Sequence, residues 1–474
     1  MPSLLFALLT GLSGADQPNI LFLFSDDHAY DAVGANGTSE IQTPNMDRLA
    51  AKGTTFTHAY NMGAWGGAVC VASRTMLATG RTLFHARAEN GELGKHYLTP
   101  GTSWPQLMAG AGYRTAMSGK WHVKMNAVEA FGDVRNLRGG MPHQTKEGYD
   151  RPHVGQPDPW DPADPEHGGF WKGGKHWSEV VADDICALLG ETAKDDQPFF
   201  LYCAFNAPHD PRQSPQEYLD RYPPAQISLP RPFLSEYPHK DAMRCSAGLR
   251  DERLAPFPRT HHAVQVNRAE YYSAITHLDA QIGRILDALE SSGQAENTWI
   301  VYTSDHGLAC GHHGLLGKQN MYDHSMRVPF IVVGPGVEAG HHIDAPIYLQ
   351  DVMPTVLELA GAEVPDHVEF QSLLPHLREP AGAARRSEIF GSYMDAQRML
   401  RADSKKLILY PRGPAWRLYD LRSDPHEEHD LAGKPEHLPT ARRLFTRLQK
   451  QQAELGDDLE LGELYPQLAG NRGG

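Results

Sequence analysis

The segment Cys70-Val-Ala-Ser-Arg74-Thr-Met-Leu-Ala-Thr-Gly80-Arg81 joins a thiol to a guanidinium four residues on, behind the flexible pair Gly66-Gly67. Ser73 to Ala78 suits a helical turn and Gly80 can end it, so Cys70 falls at a helix N-terminus. Free backbone N–H groups and the helix dipole favour an anion there and lower a thiol pKa. Arg74 can return to the same anion. Two readings stand: an activated nucleophile beside an oxyanion binder, or a buried cysteine in a glycine-rich turn. Four more places carry chemically capable groups directly after short apolar runs. These are Asp26-Asp27-His28, Lys120-Trp121-His122, Ala207-Pro208-His209 and Asp305-His306.

The runs themselves read as buried parallel strands: Ile20–Phe24, Tyr113–Ser118, Pro198–Phe205 and Trp299–Ser304, with a fifth from Val328 to Val333 that stops at Gly334. Helical spacing falls between them, most clearly over 264–291, where Ile275, Leu278, Ile282, Ile285 and Leu289 recur and Gly293 stops the pattern. Pro44 to Lys52 and Trp104 to Ala111 read as shorter helices. Strands alternating with helices predict an α/β fold, a large doubly wound and mostly parallel sheet flanked by helices. Ligands bind such sheets beyond the carboxyl ends of the strands, where these acids, lysines and histidines emerge.

Residues 132–178 and 206–262, rich in Pro, Gly, His and Trp, read as long loops walling that edge. Beyond about Gly382 the composition changes. Lys406–Tyr410 and Trp416–Asp420 form a strand pair around Pro411–Pro414, and a helix follows over roughly 436–455. The expected organisation is a catalytic domain over 16–381 and a small α+β subdomain over 382–474.

The chain has 474 residues and a formal net charge of −14, with 41% apolar and 22% charged residues. That is the composition of a globular protein with a substantial core, and its acidic field excludes a general nucleic-acid binder. Five cysteines without a CxxC pair indicate neither a disulfide framework nor a zinc ribbon; Cys186 and Cys203 read as core residues. Leu4 to Leu12 is too short to span a bilayer, and Ser13-Gly14-Ala15 after it suits signal cleavage, so residues 1–15 are expected to be a signal peptide. Export to the periplasm or medium follows, with a cytoplasmic chain as the alternative.

Taken together, these motifs resemble those of the type I sulfatases of the alkaline phosphatase superfamily, including arylsulfatase-, choline-sulfatase- and iduronate-2-sulfatase-like enzymes. The likeness runs from Pro18-Asn-Ile and Asp26-Asp27 through Thr43-Pro-Asn-Met-Asp47, the Cys70 segment, Gly119-Lys-Trp-His122 and Ala207-Pro-His209. It continues to Ser304-Asp-His-Gly307, Gly317-Lys318, Arg327-Val-Pro329 and Leu418-Tyr-Asp-Leu421. The resemblance implies that Cys70 is converted after translation to formylglycine, an aldehyde whose hydrate is the nucleophile. One hydroxyl attacks sulfur and the other later expels sulfate, which a simple covalent ester would lack the means to do. Ala72 stands where many members have Pro, which favours the more tolerant anaerobic radical-type maturase as partner.

By the same resemblance, Asp26, Asp27, Asp305, His306 and the modified Cys70 hold one divalent cation. The oxygen-rich set suits Ca²⁺, with Mg²⁺ second because His306 fills a position that is often Asn. Lys120 and Lys318 neutralise the sulfate, Arg74 orients the hydrate, His122 acts as a base and His209 protonates the leaving alcohol. His28, His176, His312, His313 and His324 are candidate substrate contacts. So are Trp160, Trp171 and Trp177 for stacking on a sugar, and Lys172, Lys175, Arg212 and Gln213 for its substituents. The expected reaction is hydrolysis of a sulfate monoester on a sulfated saccharide or other small molecule. The alternatives are a phosphonate monoester or phosphodiester hydrolase, or a binder of sulfated glycans with Cys70 unmodified.

Overall fold

The computed structural model describes residues 17–140, 145–167, 170–379, 383 and 386–470. The expected leader and the boundary placed at 381/382 lie outside the described residues. The strands that matter here are β1 (Asn19–Ser25), β2 (Thr54–Phe56), β3 (Gly63–Ala64), β4 (Arg114–Lys120), β5 (Asp133–Arg138), β6 (Phe199–Ala204), β7 (Thr298–Ser304), β8 (Phe330–Val333) and β9 (His341–Ile343). A later group comprises β10 (Glu388–Tyr393), β11 (Gln397–Ala402), β12 (Lys405–Tyr410) and β13 (Ala415–Asp420). The helices are α1 (Pro44–Lys52), α2 (Val69–Thr79), α3 (Trp104–Gly110), α4 (Trp177–Thr192), α5 (His261–Ser291) and α6 (Leu438–Leu455).

An eight-stranded sheet runs β9-β2-β8-β7-β1-β6-β4-β5. Its centre, from β7 to β5, is parallel. β1 shows why a continuous apolar run lies at its middle. Ile20, Phe22 and Phe24 enter a core shared with Trp104 and Met108 of α3, while Leu21 and Leu23 enter the opposite core with α1, α4 and α5. Alternate side chains of a strand point to opposite faces, so a strand covered on both sides must be apolar throughout. Each such side chain contributes about 1.5–3 kcal/mol on burial.

Two expectations are corrected. The fifth run is not one parallel strand: it divides at Pro329, which has no N–H to donate, and Phe330–Val333 lies antiparallel to β7. The segment 132–178 is not all loop either, because Asp133–Arg138 pairs with β4 as the sheet's edge and α4 begins at Trp177. Cys203 is buried as expected, whereas Cys186 is only half-buried on α4.

The late strand pair is present as β12 and β13, antiparallel from Lys405 opposite Asp420 to Tyr410 opposite Ala415. It belongs to a five-stranded sheet ordered β13-β12-β11-β10-β3, packed by Leu444, Phe445 and Leu448 of α6. The last strand, β3, comes from residues 63–64 and lies parallel to β10 at Ser392 and Tyr393. The C-terminal sheet is therefore completed by the chain that leads into Cys70.

Candidate active site

Four strand ends and one helix converge. β1 delivers Asp26 and Asp27, β7 delivers Asp305, β4 ends in Lys120, and the turn after β6 carries His209. α2 starts at Val69 and ends at Gly80 with φ of 72°, which places Cys70 in its first turn. Two non-glycine residues at these strand ends hold left-handed backbone, Asp27 at φ 65° and His122 at φ 55°. Strain of this kind persists where the surroundings over-determine a functional geometry.

The Cys70 thiol donates to Asp26 Oδ1 at 3.1 Å and lies 3.3 Å from Lys318 Nζ. Lys318 also donates to both Asp27 oxygens at 2.8 and 2.6 Å and to His209 Nε2 at 3.0 Å. Lys120 is paired with Asp26. Arg74 Nε donates to Asp305 Oδ2 at 2.9 Å and its Nη1 to the Lys120 carbonyl at 2.9 Å, with the guanidinium 4.5 Å above the Phe24 ring. One ligand atom from each of Asp26, Asp27, Cys70 and His209 falls within 4.8 Å of the others.

Electrostatics follow from burial. Asp26, Asp27 and Asp305 are fully buried. Burial opposes ionisation of Asp26, yet Lys120, His209, Arg74 and Lys318 hold it well below the usual carboxylate range. Burial pushes Asp27 well up, Lys318 opposes, and the like charges of Asp26 and Asp305 add to the rise. Burial and Asp26 raise Asp305 as well. The expected low thiol pKa is overturned: burial, Asp26 and Asp305 push Cys70 well above its ordinary value. His209 is held neutral by burial and Lys318; its Nδ1–H donates to the Asp210 carbonyl at 2.7 Å, so Nε2 is the acceptor that meets Lys318 Nζ.

The donor set fits a hard divalent cation. Three buried carboxylates crowd one cluster, and burial and their mutual repulsion keep Asp27 and Asp305 raised even beside Lys318 and Arg74, a cost that a bound cation would relieve. Oxygen donors of this kind suit Ca²⁺ or Mg²⁺. Arg74 Nη2 and His122 Nδ1 are buried without hydrogen-bond partners, as groups awaiting an anion or a proton would be. His306 is buried beside the cluster with Nδ1 3.0 Å from the Gly307 carbonyl.

Gly119 sets Lys120. It has φ of 96°, and a Cβ there would stand 1.9 Å from the Ala204 carbonyl oxygen. The pairing of β4 with β5 shifts register between Ser118 and Lys120. Gly119→Ala is expected to cost about 3 kcal/mol of stability, read as a lowered thermal midpoint. An unchanged midpoint would show that the bulge relaxes freely.

Two matches show where the chain belongs. A sequence model of the family described as "Sulfatase" matches residues 18–362, and one described as "N-sulphoglucosamine sulphohydrolase, C-terminal" matches residues 311–454. The chain belongs to the sulfatase family. It is an enzyme of the sulfuric ester hydrolase type. It is 28% identical over 471 residues to an ulvan-active sulfatase of Formosa agariphila, covering 95% of this chain and 84% of that protein. It is 27% identical over 516 aligned positions to an N-acetylglucosamine-6-O-sulfatase of Bacteroides thetaiotaomicron, covering 93% and 87%. Among solved structures, one in complex with its substrate D-glucosamine-2-N,6-O-disulfate aligns with a TM-score of 0.73 at 25% identity, over 93% of this chain and 99% of that one. A phosphonate monoester hydrolase from Silicibacter pomeroyi aligns with the same TM-score at 24% identity, over 94% and 96%, a likeness of fold alone.

Several expected substrate contacts of this sulfatase are structural instead. His28 lies between Tyr302 Oη and the Ala32 carbonyl at 2.5 and 2.7 Å. His176 caps α4 by accepting from Ser178 N and reaches the Gln213 carbonyl at 2.9 Å. Gln213 holds Phe170 N and the Asp164 carbonyl. Trp160 is buried under His167, ring centroids 4.6 Å apart, and Arg138 covers Trp177 at 4.2 Å. Trp171 is half-buried, its ring edge-on to His176. Lys172 is spent on Asn136 and Lys175 on Asp183, while Arg212 is buried against Asn267. His312 and His324, with Asp31 and Arg327, line a cavity of about 180 Å³ that shares no residue with the catalytic cluster. His313 is buried against Tyr322.

A neighbouring group escaped the sequence reading. Asp210 follows His209, and Gln319 follows Lys318. Gln319 Nε2 donates to Asp251 Oδ2 at 2.7 Å, and Arg250 pairs with Asp210 at 3.2 Å and Asp251 at 2.5 Å. Adjacency to the motif residues was the available signal.

Proposed function

We propose that this sulfatase hydrolyses the sulfate monoester of a sulfated carbohydrate, using an aldehyde derived from Cys70 and one bound Ca²⁺. The observation that carries the reading is Cys70 itself: first turn of α2, buried, against Asp26 and Lys318, with its own thiol disfavoured as a nucleophile. The named substrates of the relatives, ulvan and glucosamine sulfates, support a carbohydrate. The hydrated aldehyde supplies paired hydroxyls, and the cation, held by Asp26, Asp27 and Asp305, supplies Lewis acidity at the sulfate.

The chain's own residues do the rest. Three carboxylates and the cations Arg74, Lys120 and Lys318 balance in charge, so added metal charge is matched by the sulfate dianion that departs. Lys120 and Lys318 turn from Asp26 and Asp27 towards the sulfate oxygens as compact point charges. Arg74 Nη2, free of hydrogen bonds, is available to the same anion. His209 passes to the departing alcohol oxygen the proton that its Nε2 receives from Lys318 Nζ. His122, held neutral at about 3 by burial and Lys120, accepts a proton during regeneration.

Mass spectrometry of the tryptic peptide Gly53–Arg74, from protein made with a formylglycine maturase, is expected to show the aldehyde. The same sample should release sulfate from sulfated saccharides. Aldehyde-bearing protein that acts on aryl or choline sulfates alone overturns the carbohydrate assignment. Exhaustive chelation is expected to lower turnover by at least about 100-fold, with Ca²⁺ restoring more than Mg²⁺. Restoration by Mg²⁺ alone would reassign the ion.

A further inference from the structure

We infer that Arg250, Asp210 and Asp251 form a hydroxyl-reading wall on the leaving-group side of the site. It selects a sugar ring that keeps free hydroxyls, and no second anion, next to the scissile sulfate. This rests on the sulfatase reading above and adds the substrate class within it.

The placement comes from connectivity at both ends. Asp210 is the residue after His209, whose Nδ1 is 3.5 Å from Asp210 Oδ1. Asp251 is tied through Gln319 Nε2, at 2.7 Å, to the residue after Lys318. The same Nε2 reaches the Gly67 carbonyl at 3.1 Å, three residues before Cys70. Arg250 bridges the two acids, so its guanidinium stands between the proton donor and the nucleophile loop. Tyr149 Oη adds a donor to Asp210 Oδ2 at 3.3 Å. Both acids are buried, while the Arg250 side chain is 21% exposed.

The chemistry follows from what is unmet. Asp210 Oδ1 is buried without a hydrogen-bond partner, while Arg250 Nη1 meets Asp210 Oδ2 as an ion pair at 3.2 Å. Oδ1 lacks a donor and the guanidinium is partly exposed, so one hydroxyl can donate to the acid and accept from the arginine. An aryl ring supplies neither, and a site built for such bonds strongly disfavours a ligand that lacks them. Two carboxylates against one guanidinium leave the wall with a net negative charge, which repels a second sulfate or a carboxylate on the same ring. His209 and Lys318 supply the proton and the sulfate contact, whereas the wall fixes which alcohol is presented.

The test compares kcat/KM for monosulfated monosaccharides (N-acetylglucosamine 6-sulfate, galactose 6-sulfate and rhamnose 3-sulfate) with that for 4-nitrophenyl sulfate, which has no hydroxyl. The parent, Asp210→Asn and Arg250→Gln are measured with the aldehyde content of each verified. Both variants are expected to lose about 30-fold more on the best saccharide than on the aryl ester, mainly through KM. Asp210→Asn should also narrow the parent's preference for a monosulfated over a disulfated glucosamine. Equal losses on both substrate classes, or none, would overturn the wall and leave a structural ion pair. Should Arg250→Gln fail to fold, the isosteric Asp210→Asn decides alone. An aldehyde-bearing parent that turns over neither class sinks the sulfatase reading. Calorimetric affinity of the same saccharides for parent and variant then decides the wall.

Discussion

Replacing Cys70 with alanine is expected to reduce sulfate release to about 10⁻⁴ of the parent rate or less. The fold should survive, because Val69 and Ala72 of the same helix are buried independently and α2 keeps its Gly80 terminus. The more informative arm is the parent made without a maturase. Its Cys70 is a thiol pushed well above its ordinary pKa by burial and by Asp26 and Asp305. A neutral thiol beside three carboxylates has little thiolate to offer. Unconverted protein and the alanine variant are therefore expected to share the same low rate, with activity across preparations proportional to aldehyde content. A thiol preparation that matches the converted enzyme would make Cys70 a direct nucleophile and remove the aldehyde from the scheme.

The second large effect concerns the leaving group. His209→Ala is expected to lower kcat on a saccharide sulfate by about 10²–10⁴-fold, the usual worth of a positioned general acid. On 4-nitrophenyl sulfate the loss should be under about ten-fold, because a nitrophenolate departs without protonation. The geometry makes this separation possible. His209 Nδ1–H is committed at 2.7 Å to the Asp210 carbonyl, so the proton for the alcohol passes through Nε2, the nitrogen that accepts from Lys318. Nε2 also meets Lys318 Nζ at 3.0 Å, so His209→Gln, which keeps a polar end near that lysine, should show the same split. Equal losses on both esters would assign His209 to holding Lys318 instead.

Much of this centre was legible in the chain. Strand ends and the Cys70 segment named Asp26, Asp27, Cys70, Arg74, Lys120, His209 and Asp305, and the family resemblance added Lys318, which meets them. They were readable because a buried parallel strand is an unbroken apolar run, and the polar residue that ends it has to emerge at the ligand edge. What failed was local in another way. Val328–Val333 has the composition of a parallel strand, and nothing in its pattern declares direction; partner registry decides that. His28 and His176 are as polar as His209, yet a buried carbonyl or a helix cap takes both their nitrogens. Trp160 is as aromatic as a stacking platform, but His167, seven residues away, covers it. Arg250 and Asp251 sit in a proline-rich stretch with no periodicity, and only their three-dimensional tie to Gln319 reveals them.

Cys70 is 2% exposed at the floor of the molecule's most crowded cluster. No second enzyme can reach it once the surrounding strands have closed. Any conversion of this thiol must precede closure, during synthesis or before the chain has finished collapsing. The late strand β10, which pairs with residues 63–64, is made more than three hundred residues after Cys70 is added to the chain. At the pace of translation, ~5–20 residues per second, that interval is roughly 15 to 60 seconds. If Cys70 is converted as proposed, the gap between Cys70 and β10 sets the time available, and a chain that folds before conversion would be left folded and inert.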